Sequence, residues 1–326
     1  MRLILAPMEG VLDAAMRALL TRIGGYDRCV TEFVRITNQQ LPARVFQRRC
    51  PELLQGGHTA AGVPVYVQLL GGDPDYMALN ARTVETLGAP GIDLNFGCPS
   101  KTVNRNDGGS TLLREPERVH RIVTRVRQAV SPQVPVTVKI RLGFHDSSLL
   151  EDIVCGIEAA HATELCIHAR TRLDGYKPPA YWEQIGRIRT RVRLPLIANG
   201  EIWSPADAHQ ARQESGCPDL MLGRGALSRP DLALAIRQDQ ADTPIPDTAL
   251  LHWPQIQVLL YQHSVVMSQN HPKYAVSRIK QWLTYLRRQY PEAGQLFAHL
   301  KRLSDLHTIQ QVLAHPDPRG FAHESR

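Results

Sequence analysis

One cysteine of this chain sits in a loop that ordinary packing explains poorly. In Asp93-Leu94-Asn95-Phe96-Gly97-Cys98-Pro99-Ser100-Lys101 a short apolar run, residues 91–94, leads into an amide, a glycine, a thiol and a proline. Gly97 frees the backbone to turn, and Pro99 removes an amide donor and stiffens the loop. A thiol at a strand end, aimed into a pocket, suits a proton donor or a nucleophile. An unperturbed thiol has a pKa of about 8.5 and is mostly protonated at neutral pH, which favours the donor. No histidine adjoins Cys98 in sequence to draw the proton away.

Other chemistry-bearing residues recur at comparable places. Short apolar runs at 3–6, 28–32, 65–69, 91–94, 134–140, 164–168, 194–198 and 219–222 alternate with helical periodicity, as at 117–130 and 149–161. Eight such β/α repeats before residue 243 predict an α/β fold, a TIM (β/α)8 barrel; a doubly wound sheet, which needs no closure, is the alternative. Polar residues trail every run: Pro7-Met8-Glu9, Phe33 with Arg35, Gln68, Asn95 with Cys98, Lys139 with Arg141, His168 with Arg170, Asn199-Gly200-Glu201 and Gly223-Arg224-Gly225. A barrel brings these ends onto one face, where such enzymes hold their sites.

The last two of these ends read as a phosphate clamp. Gly200, Gly223 and Gly225 allow close backbone approach, and Arg224 adds a charged fork of donors. The segment is no dinucleotide fingerprint: it lacks a third glycine and comes too late in the chain. A flavin mononucleotide fits better than a tightly held nicotinamide cofactor. An inward Lys139 needs a negative partner, which the edge of a reduced flavin supplies. Gln68 can bond the same edge, and His168 a phosphate or ring carbonyl. The six cysteines form no C-x-x-C pair and no zinc spacing, so no metal is expected.

Charge points to a polyanionic partner. The net charge is +7, and residues 244–326 carry nine Lys and Arg against five Asp and Glu. Two prolines within 242–247 read as a linker. Beyond it Val276, Ile279, Leu283 and Leu286 form an apolar stripe, with Arg278, Lys280, Arg287 and Arg288 largely off it. A helical bundle with one basic face is expected. Hydrophobic residues make up 43%, enough for a large core. The N-terminus resembles neither a signal peptide nor a membrane span, so a cytoplasmic protein with reduced thiols is expected.

With these residues in view, the chain resembles the tRNA-dihydrouridine synthases. The matching pieces are Ala6-Pro7-Met8-Glu9-Gly10, Thr31-Glu32-Phe33, Val67-Gln68-Leu69, Asp93-Leu94-Asn95 with Gly97-Cys98-Pro99, Val138-Lys139-Ile140-Arg141-Leu142-Gly143, His168-Ala169-Arg170-Thr171, Ile197-Ala198-Asn199-Gly200-Glu201-Ile202 and Gly223-Arg224-Gly225-Ala226. Val11-Leu12-Asp13, Val34-Arg35 and Arg278-Ile279-Lys280-Gln281-Trp282-Leu283 bring it nearest the bacterial C subfamily, which acts on uridine 16 of the tRNA D-loop.

The resemblance implies an FMN-binding catalytic barrel over 1–243 and a helical tRNA-binding domain over 244–326. It implies that NADPH reduces the flavin and leaves, that hydride passes from flavin N5 to uracil C6, and that Cys98 protonates C5. Pro7, Met8, Glu9, Gln68, Lys139, His168, Asn199, Gly200, Glu201, Gly223 and Arg224 would hold the cofactor. Asn95 would orient the uracil, and Arg35, Arg141, Tyr176, Lys273, Tyr274, Arg278 and Lys280 would meet tRNA. A base in folded tRNA must be flipped out to react, and basic contacts to phosphates offset that cost. No membrane and no obligatory protein partner is implied. A reductase of a free pyrimidine, like the dihydroorotate dehydrogenases, and a non-catalytic RNA-binding barrel are the competing readings. Phe96 and residues 144–150 fit no assigned role.

Overall fold

A computed structural model describes residues 1–239, 251–270 and 272–314. Nine strands occur among them: β1 (Leu3–Leu5), β2 (Arg28–Val30), β3 (Val34–Arg35), β4 (Val65–Leu70), β5 (Ile92–Asn95), β6 (Val136–Arg141), β7 (Glu164–His168), β8 (Leu196–Asn199) and β9 (Asp219–Leu222). All pair in parallel in the order β2-β1-β9-β8-β7-β6-β5-β4-β3, and a β2–β4 pairing closes the ring. β2 and β3 are two halves of one stave, so the result is the eight-staved barrel expected.

The break in that stave departs from the single run expected at 28–32. Val30 pairs with Tyr66 and Val34 with Leu69, so three residues, Thr31 to Phe33, oppose two on β4. The extra residue is a bulge, which bends the strand and re-aims its side chains. Thr31 stays bound to β4: its N–H donates to the Tyr66 carbonyl (3.0 Å) and its Oγ1 accepts from Gln68 N (3.0 Å). The bulge leaves both Glu32 and Phe33 on the wall of the cavity described below.

Period-two alternation decides which side chains enter the barrel. In β6, Val136, Val138 and Ile140 join the large core beneath the outer helices. Thr137, Lys139 and Arg141 take the other face and bond to β5, to β8 across the barrel interior and to the loop after β5. Ile4, Ala6, Val30, Cys166, Ile197 and Met221 form a separate inner cluster. At the N-terminal end of the staves Arg28 bonds Glu164 (2.7 Å) and Arg2 pairs with Asp219 (2.6 Å). The opposite end is open.

Among the described residues four helices follow: Trp253–Asn270, Pro272–Leu286, Pro291–Leu300 and Leu306–Ala314. The expected stripe is present, with Ile279, Leu283 and Leu286 fully buried, joined by Trp282, and Val276 partly buried. These residues belong to the same core as the barrel helices. Trp282 donates its indole N–H to the Leu227 carbonyl (3.1 Å), and Arg278 pairs with Asp13 (3.5 Å). The bundle is therefore packed onto the barrel. The expected linker at 242–247, and with it the boundary at 243, lies outside the described residues. No described helix is long and apolar enough to cross a membrane.

Candidate active site

The open end of the barrel holds a cavity of about 670 Å³. Its wall takes in Pro7, Met8, Glu9, Gln68, Asn95, Cys98, Lys139, Arg141, His168, Tyr176, Asn199, Gly200, Glu201, Gly223 and Arg224. Five other predicted residues lie elsewhere. Arg35 donates to the Asn106 carbonyl (3.3 Å). Lys273 and Tyr274 are exposed, and Arg278 faces Asp13. Lys280 donates from Nζ to the carbonyls of Lys301 (3.1 Å) and Leu303 (2.6 Å). It thereby satisfies carbonyls at the end of helix Pro291–Leu300, a role its place off the apolar stripe did not reveal.

Backbone bonds hold the cysteine loop. Asn95 Oδ1 accepts from Gly97 N (2.9 Å) and Cys98 N (3.0 Å). The Cys98 carbonyl accepts from Ser110 N, Ser110 Oγ and Asn104 Nδ2 at 2.9–3.0 Å. Gly97 does not use positive φ here. Its value is close approach, since a Cβ would stand 3.3 Å from the Ile140 carbonyl carbon. Gly109 does turn at φ +64, and a Cβ there would press to 2.8 Å on the Cys98 carbonyl oxygen. The glycine pair 108–109 was the overlooked signal. Phe96 is fully buried in the outer core, so it packs the loop from behind.

The Cys98 thiol is half-buried. Burial pushes its pKa up and the Glu9 carboxylate adds to this, while the Ser100 N–H and Arg141 pull the other way. The net effect favours a protonated thiol at neutral pH. Arg141 is itself buried and donates to the carbonyls of Gly97 (2.9 Å), Thr171 (3.0 Å) and Gly175 (2.8 Å). It anchors the loop at whose end Cys98 lies.

Lys139 enters the cavity from β6, and burial lowers its pKa. Its Nζ donates to Asn199 Oδ1 (2.8 Å), and Asn199 Nδ2 donates to the Met221 carbonyl (2.7 Å), which fixes the amide's orientation. His168 is pushed well below its ordinary range by burial, then by Arg141, Lys139, Arg170 and Arg224. It is a neutral imidazole with one N–H to offer. This crowd of cations with a single amide acceptor at Lys139 makes the floor receptive to negative charge.

The predicted clamp is built as glycines require. Gly200 has φ +114, and a Cβ would stand 2.7 Å from His168 Cδ2. At Gly225 a Cβ would stand 2.1 Å from the Ile202 carbonyl oxygen. At Gly223 its nearest neighbours would be Ala6 Cβ and Met8 Sδ at 3.9 Å, so this backbone faces open cavity. Of the amides that open helix Arg224–Ser228, Ala226 N donates to the Gly223 carbonyl (3.0 Å), which leaves the Arg224 and Gly225 N–H groups ahead of it without an intrahelical acceptor. Glu201 plays a different part from its neighbours. Its carboxylate binds Arg170 and accepts from Trp203 Nε1 (2.9 Å), so it braces the wall.

Sequence reasoning missed Trp203 and Tyr285 in this wall. Arg224 lies 5.0 Å from both the Tyr176 and Trp203 ring centroids, Arg141 lies 5.1 Å from Tyr176, and Arg288 lies 3.8 Å above Trp203. Cations and rings thus alternate from the cavity to the helical bundle. Tyr285 comes from helix Pro272–Leu286, whose neighbouring Leu286 is buried core.

A sequence profile for dihydrouridine synthase (Dus) matches residues 4–315. The chain is 50% identical to the tRNA-dihydrouridine(16) synthase of Shewanella oneidensis, over 96% of this chain and 97% of the other. It is 47% identical to the proteins of that name from Cupriavidus necator and Vibrio cholerae, over 96% of this chain and 96% and 95% of theirs. Among solved structures, histamine dehydrogenase from Rhizobium sp. 4-9 superposes with a TM-score of 0.58 at 14% identity, over 81% of this chain and 48% of that one. A variant of NCR from Zymomonas mobilis gives 0.50 at 15% identity, over 78% and 92%. At such identities the likeness speaks for the barrel fold alone.

Proposed function

The chain belongs to the dihydrouridine synthase family, and from that premise we propose that it reduces the C5=C6 bond of uridine in tRNA to 5,6-dihydrouridine, at position 16 of the D-loop. The bound cofactor is FMN and the transient reductant NADPH. The observation that carries this reading is a free, half-buried thiol and a partly buried lysine on the wall of one cavity, with a glycine clamp at its far strands.

The residues fit FMN. Gly200, Gly223 and Arg224 would hold its phosphate, with Asn199 and Glu201 bracing the site. Pro7 and Met8 supply apolar wall, with Glu9 beside them, and Gln68, Lys139 and His168 supply donors for a polar ring edge. The cofactor, once reduced, supplies hydride. Lys139 stabilises negative charge that accumulates beside it. Asn95 and Arg141 hold the loop so that Cys98 meets an inserted base with its proton in place, and the thiol gives that proton to C5. The catalytic part is assigned to 1–243 and tRNA docking to 244–326, with exposed Lys273 and Tyr274 and the rim residues Arg35 and Tyr176 reaching the RNA. A tRNA substrate places the protein in the cytoplasm.

The decisive experiment offers unmodified tRNA, uridine and uracil separately to the reduced protein and follows flavin reoxidation and dihydrouridine content. Reaction with tRNA alone, mapped to position 16, is expected. Rapid reoxidation by the free base and none by tRNA would overturn the proposal, and a colourless, flavin-free protein would sink it outright.

A further inference from the structure

Beneath the cavity Asp93 and Thr137, which the reaction does not use directly, extend the hydrogen bonds of two wall residues, Gln68 and Asn95, into a chain. Asp93 of β5 is 2% exposed and does not line the cavity. Its Oδ1 accepts from Thr137 Oγ1 (2.5 Å) and its Oδ2 from Gln68 Nε2 (2.7 Å). Gln68 Oε1 accepts from Asn95 Nδ2 (2.8 Å). Asn95 Oδ1 accepts from the amides of Gly97 and Cys98. The chain thus runs unbroken from β6 to the cysteine loop.

Its direction is determined from both ends. A carboxylate only accepts, so Gln68 must turn its NH2 toward Asp93. Backbone N–H groups only donate, so Asn95 must turn its oxygen toward the loop. Between them Asn95 NH2 meets the Gln68 oxygen, and no amide can flip without leaving two donors or two acceptors face to face. One N–H hydrogen remains on each amide, and both residues line the cavity. A ring carbonyl oxygen that reaches this floor would meet donors and not acceptors. Burial pushes the Asp93 carboxyl up, and the bonds from Gln68 and Thr137, with the charges of Arg28 and Lys139, take back only part of that rise.

We propose that Asp93 is a positioning residue: by fixing the polarity of Gln68 and Asn95 it sets their donors toward the ring and holds the Cys98 loop in register. It acts through Gln68 and touches no reacting atom. The kinetic part of this inference rests on the function proposed above.

The test uses the full-length holoenzyme with Asp93→Ala, Asp93→Asn, Gln68→Leu and the double variant Asp93→Ala/Gln68→Leu. The first readout is the rate of Cys98 alkylation by iodoacetamide at fixed pH, followed by peptide mass, which requires no knowledge of the substrate. The second is kcat and KM for tRNA. Losing the buried acceptor is expected to lower kcat about tenfold or more with KM for tRNA nearly unchanged, and to speed alkylation about threefold. Asp93→Asn, which keeps an oxygen for Gln68, should restore most of both. In the Gln68→Leu background Asp93→Ala should add little, because the two act as one unit. Additive effects, Asn as damaging as Ala, or an Asp93→Ala protein indistinguishable from wild type would overturn the proposal. If Asp93→Ala does not fold, Asn and Gln68→Leu decide it: equal losses refute the relay. A wild-type protein inert toward tRNA would defeat the proposed function, while the alkylation arm would still judge the relay.

Discussion

Cys98→Ala tests the proposed proton donor in isolation. The thiol is met by the Ser100 N–H, but the bonds that fix the loop at this position are made by the Cys98 backbone: its N–H to Asn95, and its carbonyl to Ser110 and Asn104. Alanine keeps them all and removes one half-buried sulfur, so stability should change by roughly 1 kcal/mol or less. A lost general acid lowers the rate about 10²–10⁴-fold, or about 3–5 kcal/mol in the barrier. The assay is a single turnover of the reduced protein with unmodified tRNA, quantified as dihydrouridine by mass spectrometry, alongside flavin content and tRNA affinity. Flavin and affinity should persist while reduction falls by that factor, and Cys98→Ser should lie low because its hydroxyl is a far weaker acid. The pH dependence has a definite sign. The donor must be protonated, and its pKa is raised by burial and by Glu9. The rate should be flat through neutral pH and fall about tenfold per unit above the elevated thiol value, a limb absent from Cys98→Ala. Turnover within a few fold of wild type in Cys98→Ala would refute the reasoning.

Two further outcomes follow from interior side chains. Lys139→Met removes the cation whose only hydrogen-bond acceptor among the described residues is Asn199; the two-electron midpoint potential of bound flavin should drop by about 30 mV or more, a tenfold change in equilibrium, and an unchanged potential would clear Lys139 of the role. Trp282→Ala removes a fully buried indole bonded to Leu227 and should cost about 3–5 kcal/mol in chemical denaturation. A cost below about 1 kcal/mol would mean that the bundle and barrel do not share a core.

The site was legible wherever its signal was local. The alternation of β6 by itself assigns Thr137, Lys139 and Arg141 to the face opposite Val136, Val138 and Ile140, and repeats of that pattern put polar ends on one rim. Gly200 and Gly225 were readable because glycine marks backbone with no room for a Cβ, at a positive-φ turn for Gly200 and at close approach to the Ile202 carbonyl for Gly225. Lys280 was not, since its ammonium serves a helix end that arrives 21 residues later in the chain. Tyr285 was missed because only the docking of the bundle against the barrel brings it to the cavity; Trp203 stands four residues past β8 and is turned to the wall by its local bond to Glu201. Glu201 reads as a clamp residue in its motif, yet the neighbours Arg170 and Trp203 turn it into a brace.

Periodicity and glycine placement, which depend on neighbours a few residues apart, determined by themselves a run of parallel β/α units with polar residues at the trailing strand ends; that the sheet closes into a barrel instead of staying open was decided by the β2–β4 pairing. Closure of the ring decided the rest. It sets the one-residue bulge at Thr31–Phe33 and the seating of the helices over the mouth. It also aligns Gln68, Asp93, Thr137 and Asn95 from three staves into one donor-to-acceptor chain. Hydrogen bonds between groups 25 to 44 residues apart depend on strand register, and register is a property of the closed sheet as a whole.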